Sequence, residues 1–151
     1  MAILLDTGGA VRVLSRLAGR KLTLEAVLGE LFDDGLLQAT DREEVLVRTG
    51  PKDAAERHPL DIIAGHKIKQ AKSPYKILTL EELTQWLADK AGLPYLRIDP
   101  LKTDMARVTE AVSYAYAARH RILPVEMTPT EVAFATAEPF LCGWMDELPR
   151  I

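Results

Sequence analysis

The sequence predicts an α+β protein in which a helical N-terminal subdomain precedes a small β-α-β-β-α subdomain. Apolar residues recur at helical spacing over residues 23–91, whereas two short runs within residues 122–137 are typical of a β-hairpin. Helices followed by strands in this order favour a small sheet packed by a helix. The predicted boundary gives a helical subdomain, 1–92, and an α+β subdomain, 93–151.

The helical subdomain is predicted to contain helices at residues 23–34, 40–48, 59–71 and 79–91. Thr23 and Thr79 suit N-cap positions, because a threonine hydroxyl can accept from the free N–H groups of the first helical turn. Gly35 and Gly92 follow these two helices, where a left-handed C-terminal stop is expected. The two helices therefore have sequence signals at both ends.

Two further patterns concern the same region. Thr40 and Glu43 have the spacing of a capping box, which predicts a helix start at Thr40. The run Leu22–Glu25 recurs as Leu78–Glu81, followed by leucines or valines at similar offsets. This echo is open to two interpretations: two ordinary capped amphipathic helices, or a duplicated helical unit.

The α+β subdomain is predicted to contain a strand at 95–98, a helix at 103–120, strands at 122–127 and 131–137, and a final short helix that opens near Pro139 and carries Trp144. Tyr114 and Tyr116 are two apart on the predicted helix, so their side chains diverge. One of them is expected to pack against the core and the other to face solvent.

Residues 1–21 are predicted to form either a short helix or a segment that orders only on docking. Apolar and basic residues recur there at helical spacing without an obvious core to join, so they are the candidate partner-binding residues. They are Val11, Arg12, Leu14, Arg16 and Leu17. Deletion of residues 1–20 is then expected to abolish partner binding and to leave the fold intact.

Composition excludes several classes of protein. The net charge is −3, with 19 basic and 22 acidic residues, so the basic stripe of a nucleic-acid-binding protein is not expected. Cys142 stands alone, which excludes an intramolecular disulfide and favours the reducing cytoplasm. No signal peptide and no apolar run of about 20 residues is present. Contact with a membrane is therefore expected only through a partner.

The sequence holds no recognisable catalytic constellation. Gly65-His66-Lys67 lacks the upstream glycine loop and the Ser or Thr of an ATP-binding phosphate loop. His58, His66 and His120 are spread apart, and Cys142 has no base beside it in the sequence. We therefore expect no catalytic residue, no metal site and no cofactor, and a chain that is not itself an enzyme.

Five ordered runs carry a family resemblance: Leu78–Leu83, Gly92–Tyr95, Ile98–Leu101, Ala117–Val125 and Val132–Phe140. The chain resembles the N-terminal domain of type II secretion ATPases (general secretion pathway protein E), which is shared with type IV pilus assembly ATPases. Pro59-Leu60 and Trp86-Leu87-Ala88 favour the secretion branch.

The resemblance implies a parent protein that is a cytoplasmic hexameric ATPase powering pseudopilus assembly and protein secretion. The ATP site would lie outside this chain. The N-terminal module would dock on the cytoplasmic domain of the platform's L protein and contact the rest of the hexamer, which would place it at the inner membrane through that partner.

One alternative function follows from the same family. Some members bind cyclic di-GMP through two copies of a helical motif led by Arg-Leu-Gly. Ala26 and Leu28 stand at the arginine and glycine positions of the first copy, and Lys76-Ile77-Leu78 precedes the second. Because a dinucleotide needs arginine to pair with phosphate or to stack on guanine, tight binding is not expected.

Overall fold

A computed structural model describes residues 19–99, 112–127, 132–141 and 143–147, together with the backbone of residues 2–6. The chain divides into two compact units. The helical unit is residues 22–84, and the sheet unit is residues 1–21 with residues 85–151. The division thus lies at residue 84 rather than at the predicted residue 92, and residues 1–21 join the sheet unit instead of the helical one.

The helices are α1 (Leu24–Asp33), α2 (Ala39–Arg48), α3 (Pro51–Glu56), α4 (Pro59–Gly65), α5 (Leu80–Ala91) and α6 (Tyr114–His120). The strands are β1 (Ala2–Asp6), β2 (Tyr95–Leu96), β3 (Ile122–Met127) and β4 (Val132–Thr136), and a 3-10 helix covers Gly143–Glu147. Helices combined with a small antiparallel sheet confirm the predicted α+β class.

Helices α1 and α5 begin as predicted. The hydroxyl of Thr23 accepts a hydrogen bond from the Ala26 N–H at 3.3 Å, and that of Thr79 accepts from the Glu82 N–H at 3.2 Å. Gly35, just beyond the end of α1, adopts φ +70, which glycine reaches without steric cost. These caps and the stop satisfy backbone groups that the ends of a helix leave without partners.

Replacement of the α1 cap, Thr23→Ala, is expected to lower the free energy of unfolding by about 1 kcal/mol, because the Ala26 N–H loses its side-chain acceptor. Chemical denaturation with urea measures the change. Thr23→Ser retains the hydroxyl and serves as the control. Equal losses for the two substitutions would contradict a capping role.

Two helix predictions in the same unit are wrong in detail. Helix α2 begins at Ala39, its N-cap Gln38 makes no side-chain cap hydrogen bond, and the capping box predicted from Thr40 does not form. Helix α4 ends at Gly65 instead of continuing to residue 71. Lys69 beyond it pairs with Ile77 in an antiparallel bridge, so the following backbone hydrogen bonds to a neighbouring segment rather than to the helix.

The helical unit is held together by apolar side chains with almost no solvent exposure. Its core members, each at most 6% exposed, are Leu22, Leu24, Val27, Leu28, Leu31, Leu37, Val45, Leu60, Ile62, Ile63, Leu78 and Leu83. The echo in the sequence has a structural counterpart, since Leu22 and Leu78 are both buried beside a capping threonine.

The sheet has the strand order β2-β1-β4-β3, so the N-terminal strand lies inside it. Ile3 is paired on one side with Tyr95 and on the other with Thr136, both in antiparallel register. The prediction of a helix or a docking-dependent segment for residues 1–21 is therefore wrong for residues 2–6. Neighbouring strands supply backbone hydrogen-bond partners that no periodicity within five residues can reveal.

Strands β3 and β4 form the predicted antiparallel pair. Pro124 lies in β3, at the edge of the sheet, where a missing N–H is tolerated. The register shifts between Pro124 and Glu126, which is the signature of a β-bulge. Proline and a bulge are two devices that discourage a further strand from pairing with an exposed edge.

The helix predicted for residues 103–120 is interrupted at Ser113, whose ψ of 148 is extended and whose hydroxyl accepts from the Tyr116 N–H. Residues 103–111 lie outside the described part of the chain. Tyr116 packs on the core and donates from its hydroxyl to the Trp144 carbonyl at 2.7 Å, whereas Tyr114 is 87% exposed. The prediction of one packed and one exposed tyrosine is thus confirmed.

One buried apolar cluster of the sheet unit contains Ile122, Val132, Phe134 and Trp144. The rings of Phe134 and Trp144 meet edge to face, with centroids 5.1 Å apart and planes inclined by 70°. Burial raises the pKa of Tyr116 above its ordinary value, an effect to which the Glu147 carboxylate adds.

Candidate docking site

The segment after α4 concentrates positive charge in an otherwise acidic chain. We name residues 66–78 the basic loop. Between residues 62 and 80 the sequence has no Asp or Glu, while the net charge of the whole chain is −3. The basic side chains in this interval are His66, Lys67, Lys69, Lys72 and Lys76. All four lysines are exposed to solvent.

Backbone hydrogen bonds hold the basic loop in a hairpin-like shape. The Gln70 N–H donates to the Lys76 carbonyl at 2.8 Å, and the Leu78 N–H donates to the Ile68 carbonyl at 2.8 Å. The Tyr75 N–H closes the tip on the Lys72 carbonyl at 2.9 Å. These hydrogen bonds therefore make the loop an ordered element rather than an irregular connection between α4 and α5.

Two further contacts tie the basic loop to the end of α1. The Ala71 N–H donates to the Leu36 carbonyl at 2.9 Å. The Lys72 ammonium donates to the carbonyl of Asp34, the C-cap residue of α1, at 3.1 Å. A cation at the C-terminal end of a helix also meets the negative end of the helix dipole. The position of the loop is thus fixed relative to the core of the helical unit.

Lys67 and Tyr75 adopt left-handed backbone conformations, with φ of 52 and 56. Non-glycine residues are uncommon there, and a bulky residue is an outlier. Such conformations cost about 1–3 kcal/mol each and are concentrated at binding and switch sites. The pair therefore motivates a functional hypothesis for this loop.

The tip of the basic loop also exposes apolar surface. Tyr75 is 63% exposed and Ile77 is 44% exposed, while the neighbouring Leu78 is buried in the core. Tyrosine offers a large amphipathic surface and is enriched at protein interfaces. Lys76 lies 3.7 Å from the Glu82 carboxylate, at the start of α5.

An open cleft of ≈ 430 Å³ separates the basic loop from α2. From α2 it is lined by Asp41, Glu44 and Val45, and from the loop by His66, Lys69 and Tyr75. The two walls thus differ in charge, with carboxylates on α2 and the Lys69 ammonium on the loop. Glu44 also pairs with Arg48 along α2 at 2.9 Å, between exposed side chains.

The five partner-binding residues predicted from the sequence lie outside the described residues, and their role stays a prediction. They are Val11, Arg12, Leu14, Arg16 and Leu17. Sequence reasoning did not single out the basic loop, although the lysine spacing and the absence of acids were visible signals. The hairpin shape and the exposed Tyr75 could be recognised only in three dimensions.

The histidines serve separate local roles. His58 Nδ1 accepts from the Leu60 N–H at 3.3 Å and caps α4, His66 lines the cleft, and the His120 ring packs on Tyr116 with centroids 4.5 Å apart. Within the ranges that the structure describes, no three His, Cys, Asp or Glu side chains form a group able to hold a metal ion. Cys142 lies outside those ranges.

Among the described residues of the sheet unit, a buried carboxylate lies where two strands adjoin. Glu138, whose side chain is 4% exposed, lies 3.7 Å from the guanidinium of Arg121. The Arg121 carbonyl accepts from the Ala137 N–H at 3.3 Å. These contacts join the start of β3 to the end of β4, which gives the pair a structural role.

In the part of the chain that is described, each helix is too short or too polar to cross a lipid bilayer.

Comparisons with known proteins agree with the sequence-based resemblance. Residues 91–151 match the MshEN domain family. The chain is 35% identical over 123 residues to the type IV pilus assembly ATPase TfpB of Acinetobacter baylyi. That match covers 80% of this chain and 21% of the relative, so the chain spans about a fifth of its length. No solved structure matches significantly.

Proposed function

We propose that this chain, which carries an MshEN domain of the type found at the N-terminus of type II and type IV secretion ATPases, is the non-catalytic module that docks such an ATPase onto its membrane platform. The observation that carries the proposal is the extent of the similarity. It covers four-fifths of this chain but about a fifth of an ATPase, which is what a terminal accessory domain would give.

The chemistry of the chain supports a binding role over catalysis. The sequence holds no Gly-x-x-x-x-Gly-Lys run, so an ATP site of the phosphate-loop type would lie in another part of a longer protein. The basic loop instead combines ordered backbone, exposed apolar side chains and charge, which are the components of a protein-binding surface.

The proposed partner is the cytoplasmic domain of the L protein of a type II secretion platform, with the rest of the ATPase hexamer as a second partner. Contact with the inner membrane would then run through the L protein. The relative named above is a pilus ATPase, so assignment to the type II branch rests on the two sequence runs around Pro59 and Trp86.

The proposal predicts saturable binding near one to one when this purified domain is titrated calorimetrically with the cytoplasmic domain of the cognate platform protein. Complete absence of heat with a folded domain would contradict it.

A parallel thermal-shift measurement with cyclic di-GMP tests the alternative function. A ligand present at 100 times its dissociation constant would stabilise the domain by about 2.7 kcal/mol. Because helix α1 contains no arginine, we expect cyclic di-GMP to leave the melting temperature unchanged.

The same calorimetric titration can test the predicted N-terminal partner-binding residues, with a substitution rather than a deletion. Deletion of residues 1–20 would remove β1 from the inside of the sheet, so it would not leave the fold intact as the sequence had predicted. The double substitution Arg12→Glu and Arg16→Glu leaves β1 in place. Weaker binding by this variant would support the proposed contact of the N-terminal residues, and unchanged affinity would exclude it.

A further inference from the structure

We propose that the basic loop, with the cleft beside it, binds an acidic segment of the docking partner through Lys67, Lys69 and Tyr75. This inference rests on the proposed docking function and names the surface and the partner chemistry that would carry it. It is independent of residues 11–17, which lie outside the described part of the chain.

Charge complementarity indicates that the segment bound by the basic loop is negatively charged. The basic loop lies in an interval of 19 residues, 62–80, without a single acidic side chain. Lys72 and Lys76 already contact the Asp34 carbonyl and the Glu82 carboxylate within the helical unit. Lys67 and Lys69 are exposed, so we assign to them the pairing with carboxylates of the partner.

Tyr75 supplies the contact area that charge alone lacks. Exposed ion pairs contribute only about 0–1 kcal/mol each, so a specific complex needs an additional anchor. Tyr75 is 63% exposed and lines the cleft, and Ile77 beside it is 44% exposed. Tyrosine is among the residues most often responsible for binding energy at interfaces. The partner segment therefore carries an apolar side chain next to its acidic residues.

The shape and charge of the cleft favour a protein segment over an anionic membrane. Asp41 and Glu44 on the α2 wall would face any surface that covers the cleft, and a uniformly anionic bilayer would be repelled by them. A protein segment can place acidic residues at the lysines and a hydrogen-bond donor or a cation at the α2 wall. A cavity of ≈ 430 Å³ can also accept side chains, which a flat lipid surface does not provide.

The loop is already held in a defined conformation before it binds. Its backbone hydrogen bonds and its two ties to the end of α1 fix the tip, and Tyr75 is held there in a left-handed conformation. A rigid loop loses less conformational entropy on binding than a mobile one, which favours affinity. The local cost of the left-handed residues is then consistent with a function in binding.

The test compares two double variants with the same change in charge. Lys67→Glu with Lys69→Glu alters the basic loop, and Lys21→Glu with Lys52→Glu alters two exposed lysines outside it. In calorimetric titrations with the platform domain, we expect the loop variant to bind at least about tenfold more weakly and the control to stay within about threefold. Raising the salt concentration should lower the affinity of the wild type for the platform domain more than that of the loop variant, because salt screens exposed charges.

Tyr75→Ala provides a second, independent readout. It should weaken binding by about tenfold or more, with little change in the salt dependence, since it removes apolar contact rather than charge. Circular dichroism verifies that each variant keeps its fold. Sedimentation with vesicles of phosphatidylcholine and phosphatidylserine tests the membrane as the occupant.

The outcomes separate this proposal from the docking function itself. If the wild type binds the platform domain and both loop variants bind as the control does, the basic loop is not the docking surface although the docking function stands. Loss of vesicle binding in the loop variants, with platform binding unchanged, would assign the loop to lipid and overturn the proposal. If the wild type does not bind the platform domain, both proposals fail.

Discussion

Ile3→Pro is expected to destabilise the sheet unit through the loss of a backbone hydrogen bond inside the sheet. Ile3 lies opposite Tyr95 on one side and Thr136 on the other, so its N–H faces a paired strand whichever way it points. Proline removes that donor and leaves a carbonyl on the neighbouring strand without its partner. Leaving that carbonyl without its partner should cost about 1–3 kcal/mol.

Hydrogen exchange monitored by mass spectrometry gives the local readout. Amides of β4, which pairs with β1 over four residues, should lose protection in Ile3→Pro. Ile3→Val retains the N–H and the preference for strands, and it should exchange like the wild type. Unchanged protection of β4 in the proline variant would show that β1 is not an essential part of the sheet.

The ends of helices were predictable because their signals are local. Thr23 and Thr79 cap through contacts only three residues away, and Gly35 acts on the helix that it follows. Strand β1 could not be predicted in this way. Its partners, at residues 95–96 and 133–136, are about 90 or more positions distant in the chain, and nothing within residues 2–6 records them.

The candidate site, too, was predictable from the sequence only in part. Lysine spacing and the absence of acids over residues 62–80 are properties of the sequence and were available to inspection. Their arrangement depends on a bridge between Lys69 and Ile77 and on a tie to the carbonyl of Leu36. Helical spacing had predicted that α4 continues through residue 71, which would have placed Lys67 and Lys69 on a helix instead of on a loop.

Phe134→Ala is expected to give the largest loss of stability among core substitutions in the sheet unit. Phe134 is 2% exposed and meets the Trp144 ring edge to face at 5.1 Å, with Ile122 and Val132 in the same cluster. Truncation to alanine removes this contact and leaves a cavity, at a cost of about 3–5 kcal/mol. For a chain of this size, each kcal/mol corresponds to about 2–4 °C in Tm.

Differential scanning calorimetry should therefore show the transition of the Phe134→Ala variant about 6–20 °C below that of the wild type. Phe134→Leu fills most of the volume and should lose clearly less. Tyr114→Ala, at a side chain that is 87% exposed, is the surface control and should leave Tm nearly unchanged. If Phe134→Ala melts like the surface control, the cluster around Trp144 is not the core of this unit. A large shift in Phe134→Ala without one in Tyr114→Ala would instead establish that aromatic packing stabilises the cluster that Phe134 forms with Trp144.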